Sequence, residues 1–191
     1  IDDLNDEVSC KIKLDDQTTV LTGSETELVA ALAGTIVGYT GNVVVTGTIT
    51  ASGLASINAA TAGTITVQDE QSGISGTSGD WINALAGTVT FSVASTITLT
   101  GTAISVANAN TISSIANITA TFSCGLADAL SAFATGGNTT TEFRAIITDD
   151  SNVNITINDN TGSLDAENIA VIRDSDGVAN KTSGSATITG A

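Results

Sequence analysis

A block that keeps returning constrains this chain more than any other feature. It consists of a Thr-Gly-Thr or Thr-Gly-Ser edge, a short apolar stretch of helical character, then Ala-Gly-Thr and an alternating strand. One copy runs Leu21-Thr22-Gly23-Ser24, Leu28 to Leu32, and Ala33-Gly34-Thr35-Ile36-Val37. A second runs Ile49-Thr50-Ala51-Ser52, Leu54 to Ala60, and Ala62-Gly63-Thr64-Ile65-Thr66-Val67. A third runs Ile74-Ser75-Gly76-Thr77, Trp81 to Leu85, and Ala86-Gly87-Thr88-Val89-Thr90-Phe91. The steps at Gly34, Gly63 and Gly87 recur at a period of roughly 20–50 residues, the range in which self-similarity means stacked repeats. Weaker copies follow at Leu99 to Ile112 and at Leu126 to Thr139, with a strand at Val153 to Ile157, a helix at Leu164 to Ile172 and a closing strand at Ala186 to Ala191.

The residues between the glycines decide what such a repeat builds. Hydrophobic residues make up 41 % of 191 positions but aromatics only 3 %, so the core is Ala, Val, Ile and Leu, which suit narrow stacked layers. With no Pro and nineteen Gly, backbone N–H groups stay available for strand ladders and corners with positive φ are easily turned. Thr46 to Thr50, Val89 to Val93 and Thr96 to Thr100 alternate with the period of two of a half-buried strand. These features predict a mainly β fold, a repeat-built β-solenoid or stacked-strand body with short flanking helices. Residues 1–17 form an N-terminal arm or connecting strand, 18–148 the repeat body and 149–191 an acidic C-terminal repeat.

The helices announce themselves by their starts. Ser24-Glu25-Thr26-Glu27 fits a capping box, with the Ser24 hydroxyl and the Glu27 carboxylate each accepting from the other's backbone N–H. Leu28, Ala31 and Leu32 then share a face, and Gly34 is read as a left-handed stop. Trp81, in another short helix, is read as a core anchor.

Charge and motifs exclude several functions. The net charge is −15, and the five bases (Lys11, Lys13, Arg144, Arg173 and Lys181) are scattered, so nucleic acid is not a partner. Apolar runs are broken by Gly and Thr far short of a membrane span. There is no His, no Gly-X-Ser-X-Gly elbow and no phosphate loop, and one Trp with one Tyr cannot line a sugar cleft. The chain reads as non-enzymatic.

Candidate sites are few. Cys10 and Cys124 most simply form one disulfide, a buried free thiol being the alternative. No cofactor is required. Calcium is the candidate ion, because Asp174-Ser175-Asp176-Gly177 resembles the opening of a calcium loop and Asp149, Asp150 and Asp159 crowd nearby in sequence, although turn chemistry also explains them. Asn117, Asn138, Asn154 and Asn180 open Asn-X-Ser/Thr sequons, which arise by chance in a chain this rich in Ser and Thr.

Residues 50–67 and the Leu-Thr-Gly-Thr edges resemble the tandem repeats of very large secreted surface proteins of cyanobacteria and other aquatic bacteria, over most of residues 18–191. The resemblance implies an extracellular, cell-surface location and a role in surface layers, fibres or adhesion. Together the residues and the resemblance point to a structural subunit of an extracellular filament, fibre or surface layer, partnered by other copies of itself. The alternative is an adhesin or carbohydrate-binding module. Val8 to Leu14 alternates as a strand does and is the expected connector between copies.

Overall fold

In the computed structural model, residues 19–33, 39–159, 164–174 and 186–189 are described. The chain divides into two compact units, 1–97 with 116–118 and 98–115 with 119–191.

In the first unit, β1 (Leu21–Ser24), β2 (Val43–Thr46), β3 (Ile65–Val67) and β5 (Val89–Phe91) form a parallel sheet in chain order. Leu21, Val43, Ile65 and Val89 are successive register partners, and so are Gly23, Val45, Val67 and Phe91. From β2 onward these two rows are buried, which is the consequence of a two-residue side-chain period with one face turned to the core. Strand β4 (Ile74–Thr77) precedes a helix.

The helices follow the strands. They are α1 (Glu25–Leu32), α2 (Ala51–Ala60) and α3 (Ser78–Ala84), with α1 packed on α2 and α2 on α3. Leu28 and Leu32, Leu54 and Ile57, and Trp81 and Ala84 are their buried residues at helical spacing. The Ser24–Glu27 capping box is present in full.

Between successive strands, side chains bridge to backbone. Thr64 N–H donates to Asn42 Oδ1 (2.9 Å), Gly47 N–H to Asp69 Oδ2 (2.6 Å), Ile49 N–H to Gln71 Oε1 (3.2 Å) and Gln71 N–H to Ser95 Oγ (3.1 Å). Gln71 is only 2 % exposed, and its Nε2 is also satisfied, by Gly47 O and Asp69 O.

Strands β6 (Ser95–Thr100) and β7 (Ile118–Phe122) run through the points at which the chain passes from one unit to the other. The second unit holds the parallel strands β8 (Leu126–Asp128), β11 (Ile155–Asn158) and β12 (Ala186–Thr189), with β11 between the other two. Its helices are α4 (Val106–Ser113), α5 (Leu130–Phe133), α6 (Thr141–Asp149) and α7 (Ala166–Asp174). Phe133 and Phe143 meet edge to face, 5.2 Å between centroids at 87°, in a core with Leu126, Ile146 and Ile155. Strands β9 (Ala134–Thr135) and β10 (Asn138–Thr139) form a hairpin whose two turn residues, Gly136 (φ 56°) and Gly137 (φ 71°), have the positive φ that such a turn requires. The Gly-Gly-Asn-Thr stretch, read from the sequence as a further repeat copy, is this hairpin.

The mainly β, solenoid or stacked-strand expectation is corrected by these elements. Among the described residues the protein is mixed α/β, 37 % helical and 28 % strand, with short parallel sheets. The overestimate of strand has a physical source in Thr and Ser. Ser24, Thr50, Thr77, Ser105 and Thr140 each accept a backbone N–H at a helix start, so residues that resemble β formers by composition are N-caps. Residues 47–50, expected as a strand, lead instead into the Thr50 cap.

Candidate functional site

The candidate site of the first unit is the β1 edge with the outer face of its sheet. Leu21 N–H donates to Asn42 O (3.0 Å), Val43 N–H to Thr64 O (2.9 Å) and Ile65 N–H to Thr88 O (2.9 Å). In a parallel strand, a residue that turns its N–H to one neighbour is followed by a residue that turns to the other side. The Thr22 N–H therefore points away from β2. Among the described residues β1 has a strand partner on one side only. The Tyr39 hydroxyl, buried beneath this edge, reaches both Thr19 O (2.6 Å) and Asn42 O (3.0 Å) and so fixes the approach to β1.

Outward from the same sheet, Thr22, Val44, Thr66 and Thr90 form one register row. Thr90 Oγ1 donates to Thr66 Oγ1 (3.3 Å). The row is uncharged and carries methyls and hydroxyls at the interstrand repeat of about 4.8 Å. At its margin Ser24 donates to Glu27, and these backbone and side-chain hydrogen bonds hold the Glu27 carboxyl below its ordinary value.

An open groove of about 450 Å³ lies between α1 and α2, lined by Glu25, Val29, Thr50, Ser52 and Ser56 among others. Glu25 accepts from the Thr50 N–H and from Thr50 Oγ1 (2.9 Å), so the carboxylate of one helix caps the start of the next. Gly53 makes room for it, since a Cβ there would lie 2.1 Å from the Glu25 carboxyl carbon. This cap joins residues of two repeats, and sequence reading, which assigned Glu25 only to its own helix, missed it.

Among the calcium candidates, Asp150 is engaged by backbone. Asp150 Oδ2 accepts from the Phe122 N–H (2.7 Å) and Oδ1 from the Asn152 N–H (3.1 Å), which makes it a turn and strand brace. Asp149 is half-buried at the end of α6; Asp159 is half-buried after β11; Asp174 ends α7; Asp176 lies outside the described residues. Among the described residues no group of three or more His, Cys, Asp or Glu side chains could hold a metal ion.

Burial raises the Asp149 carboxyl above its ordinary value, and the Asp150 charge adds to this, while the Ser113 hydroxyl and the Ala120 backbone draw it partly back. The Ser113 hydroxyl acts on Asp149 by proximity only, since Asp149 Oδ2 and Ser113 Oγ, both buried, are not in hydrogen-bonding geometry. Asp149 being higher in the folded protein than in the unfolded chain, its contribution to stability is fully present below the unfolded value and is lost as pH rises through the folded one. Asp149→Asn should accordingly gain on the wild type as pH rises from 4 to 7. Thermal melts across that range measure it, and parallel curves for the two proteins would contradict the assignment.

Asn117, Asn138 and Asn154 are exposed. Asn117 has φ 65° and its Nδ2 donates to Phe91 O (2.7 Å), and Asn138 Nδ2 donates to Gly136 O (3.0 Å), so both amides have structural work. Asn180 lies outside the described residues. So does Cys10, and with it the expected disulfide; Cys124 is half-buried, and burial pushes its thiol up. The connector strand within residues 1–17 and the Gly34 stop also lie outside.

Trp81 is fully buried, as the core-anchor reading expects. No helix among the described residues is long and apolar enough to cross a membrane. No protein-family model, characterised protein or solved structure matches this chain.

Proposed function

We propose that this protein is a non-enzymatic structural subunit of an extracellular assembly, a filament, fibre or surface layer built from copies of itself at the cell surface. The observation that carries the reading is the in-register parallel sheet of the first unit. Each strand presents to the next the alignment it received from the one before, and β1 offers that alignment at an edge with no further strand among the described residues. The resemblance of the repeats to secreted surface proteins of aquatic bacteria supports the same compartment and role. A chain with net charge −15 stays dispersed until cations screen it, which suits assembly outside the cell in salt.

Light scattering and electron microscopy on purified protein, over rising concentration in buffer containing divalent salt, test the proposal. Long polymers or sheets are the expected result. A protein that stays monomeric at high concentration overturns it. The uncharged Thr22–Val44–Thr66–Thr90 row then favours the adhesin or carbohydrate-binding reading, which retention on immobilised polysaccharide would check.

A further inference from the structure

Resting on the assembly reading, we infer that copies join head to tail by parallel strand addition, the open side of β1 in one copy receiving β12 of the next.

The β1–β2–β3–β5 sheet and the β8–β11–β12 sheet both grow in chain order. In the first, β1 is followed by β2, β3 and β5; in the second, β8 is followed by β11 and then β12. The exposed side of β1 is therefore a leading end that lacks a predecessor, and that of β12 is a trailing end that lacks a successor, among the described residues. A predecessor and a successor are complementary, and pairing them keeps the parallel sense that both sheets already have.

The sequences fit that pairing. β12 reads Ala186-Thr187-Ile188-Thr189 and β1 reads Leu21-Thr22-Gly23-Ser24, so a residue-for-residue register sets Thr187 beside Thr22 and Thr189 beside Ser24. Both strands alternate small or apolar residues with hydroxyl residues, the same alternation seen within the sheets. Val20 supplies a separate observation. It is one of two large hydrophobic residues exposed among those described, at 44 %, and it sits immediately ahead of β1 where an incoming strand would cover it. The Thr22 N–H, aimed away from β2, is the donor that a new strand would take. A contact between two different edges does not close on itself, so it grows a filament rather than stopping at a dimer.

Thr22→Pro removes that outward donor and leaves the Leu21 N–H to Asn42 O bond in place. Val20→Lys sets a charge at the head of the edge without touching the ladder. Both variants are compared with the wild type by circular dichroism, melting and polymerisation. The expected result is folded variants whose critical concentration for polymerisation rises at least about tenfold, with Thr22→Pro shortening wild-type filaments when mixed in at a few per cent, since its intact β12 can still join one end. If Thr22→Pro fails to fold, Val20→Lys decides. Wild-type protein that polymerises while both folded variants polymerise equally well overturns the β1–β12 contact and leaves the assembly reading standing. Polymers that the variants cannot shorten, or growth that stops at dimers, also overturn it. Wild-type protein that never polymerises removes both.

Discussion

Trp81→Ala should lower the stability of the first unit by about 3–5 kcal/mol, the usual cost of deleting a large aromatic side chain from a closed core. Trp81 is fully buried on α3, the only Trp in the chain and the largest of its buried side chains. A Cβ placed on Gly76 would lie 3.0 Å from its Nε1 and 2.4 Å from the Ala51 Cβ, so ring, α2 and β4 are in close contact at that point. The surrounding side chains, Leu54 and Ile57 of α2 among them, are already close-packed in the core, so they can relax only in part and much of the cavity would stay open. Urea denaturation followed by circular dichroism measures the loss. Trp81→Phe should recover a good part of it, because most of the volume returns. A change within about 0.5 kcal/mol for Trp81→Ala would mean that the ring is not a core element, and would return it to consideration as a ligand contact.

How much of this was legible in the sequence differs by kind of interaction. Local signals were read well. The Ser24–Glu27 box, the helical stretch at Leu54 to Ala60 and the helix at Leu164 to Ile172 all have their causes within a few residues, and each is present, the last as Ala166–Asp174. Helix α6 has an equally local signature, although it stands outside the repeat pattern. Thr140 as cap, Glu142 in the first turn, and Phe143, Ile146 and Ile147 at three-and-four spacing are a complete helix signature. What no local pattern could give is the register. β2 enters the sheet as Val43-Val44-Val45-Thr46, a strand outside the Ala-Gly-Thr copies, and its place is fixed only by its neighbours β1 and β3. The same holds for Asp69, Gln71 and Glu25, whose partners lie more than twenty residues away. The candidate site was legible only in part for that reason. The hydroxyl alternation was visible, whereas the edge formed by β1 exists only once strand order is known. Asp150, one of the acidic candidates, is engaged by the Phe122 backbone, a contact with no trace in sequence spacing.

The Ala-Gly-Thr motif is where sequence and structure differ most usefully, and Gly63→Ala tests the difference. Gly63 does not have positive φ, unlike Gly47 and Gly73, so left-handed backbone does not explain it. Its reason is space. A Cβ at Gly63 would lie 2.1 Å from Gly41 O and 2.4 Å from Gly41 C, and backbone atoms cannot rotate out of the way. The turn is also pinned, with Thr61 Oγ1 donating to Gly41 O (2.8 Å), Gly63 N–H to Thr61 Oγ1 (3.0 Å) and Thr64 N–H to Asn42 Oδ1 (2.9 Å). Relieving the clash means parting the two chain segments and stretching these bonds, just ahead of the place where β3 pairs with β2. A loss of about 3 kcal/mol or more follows, at the upper end of overpacking costs. Gly87→Ala provides the comparison. Its Cβ would meet Asn58 Oδ1 at 2.1 Å, and that side chain can turn aside at the cost of its hydrogen bond to Asn83 O, so a loss of about 1 kcal/mol is expected. Denaturation curves for both variants give the ranking. A Gly87→Ala loss equal to or larger than that of Gly63→Ala would show that close approach of successive segments at Gly41 is not what fixes the glycine of this repeat.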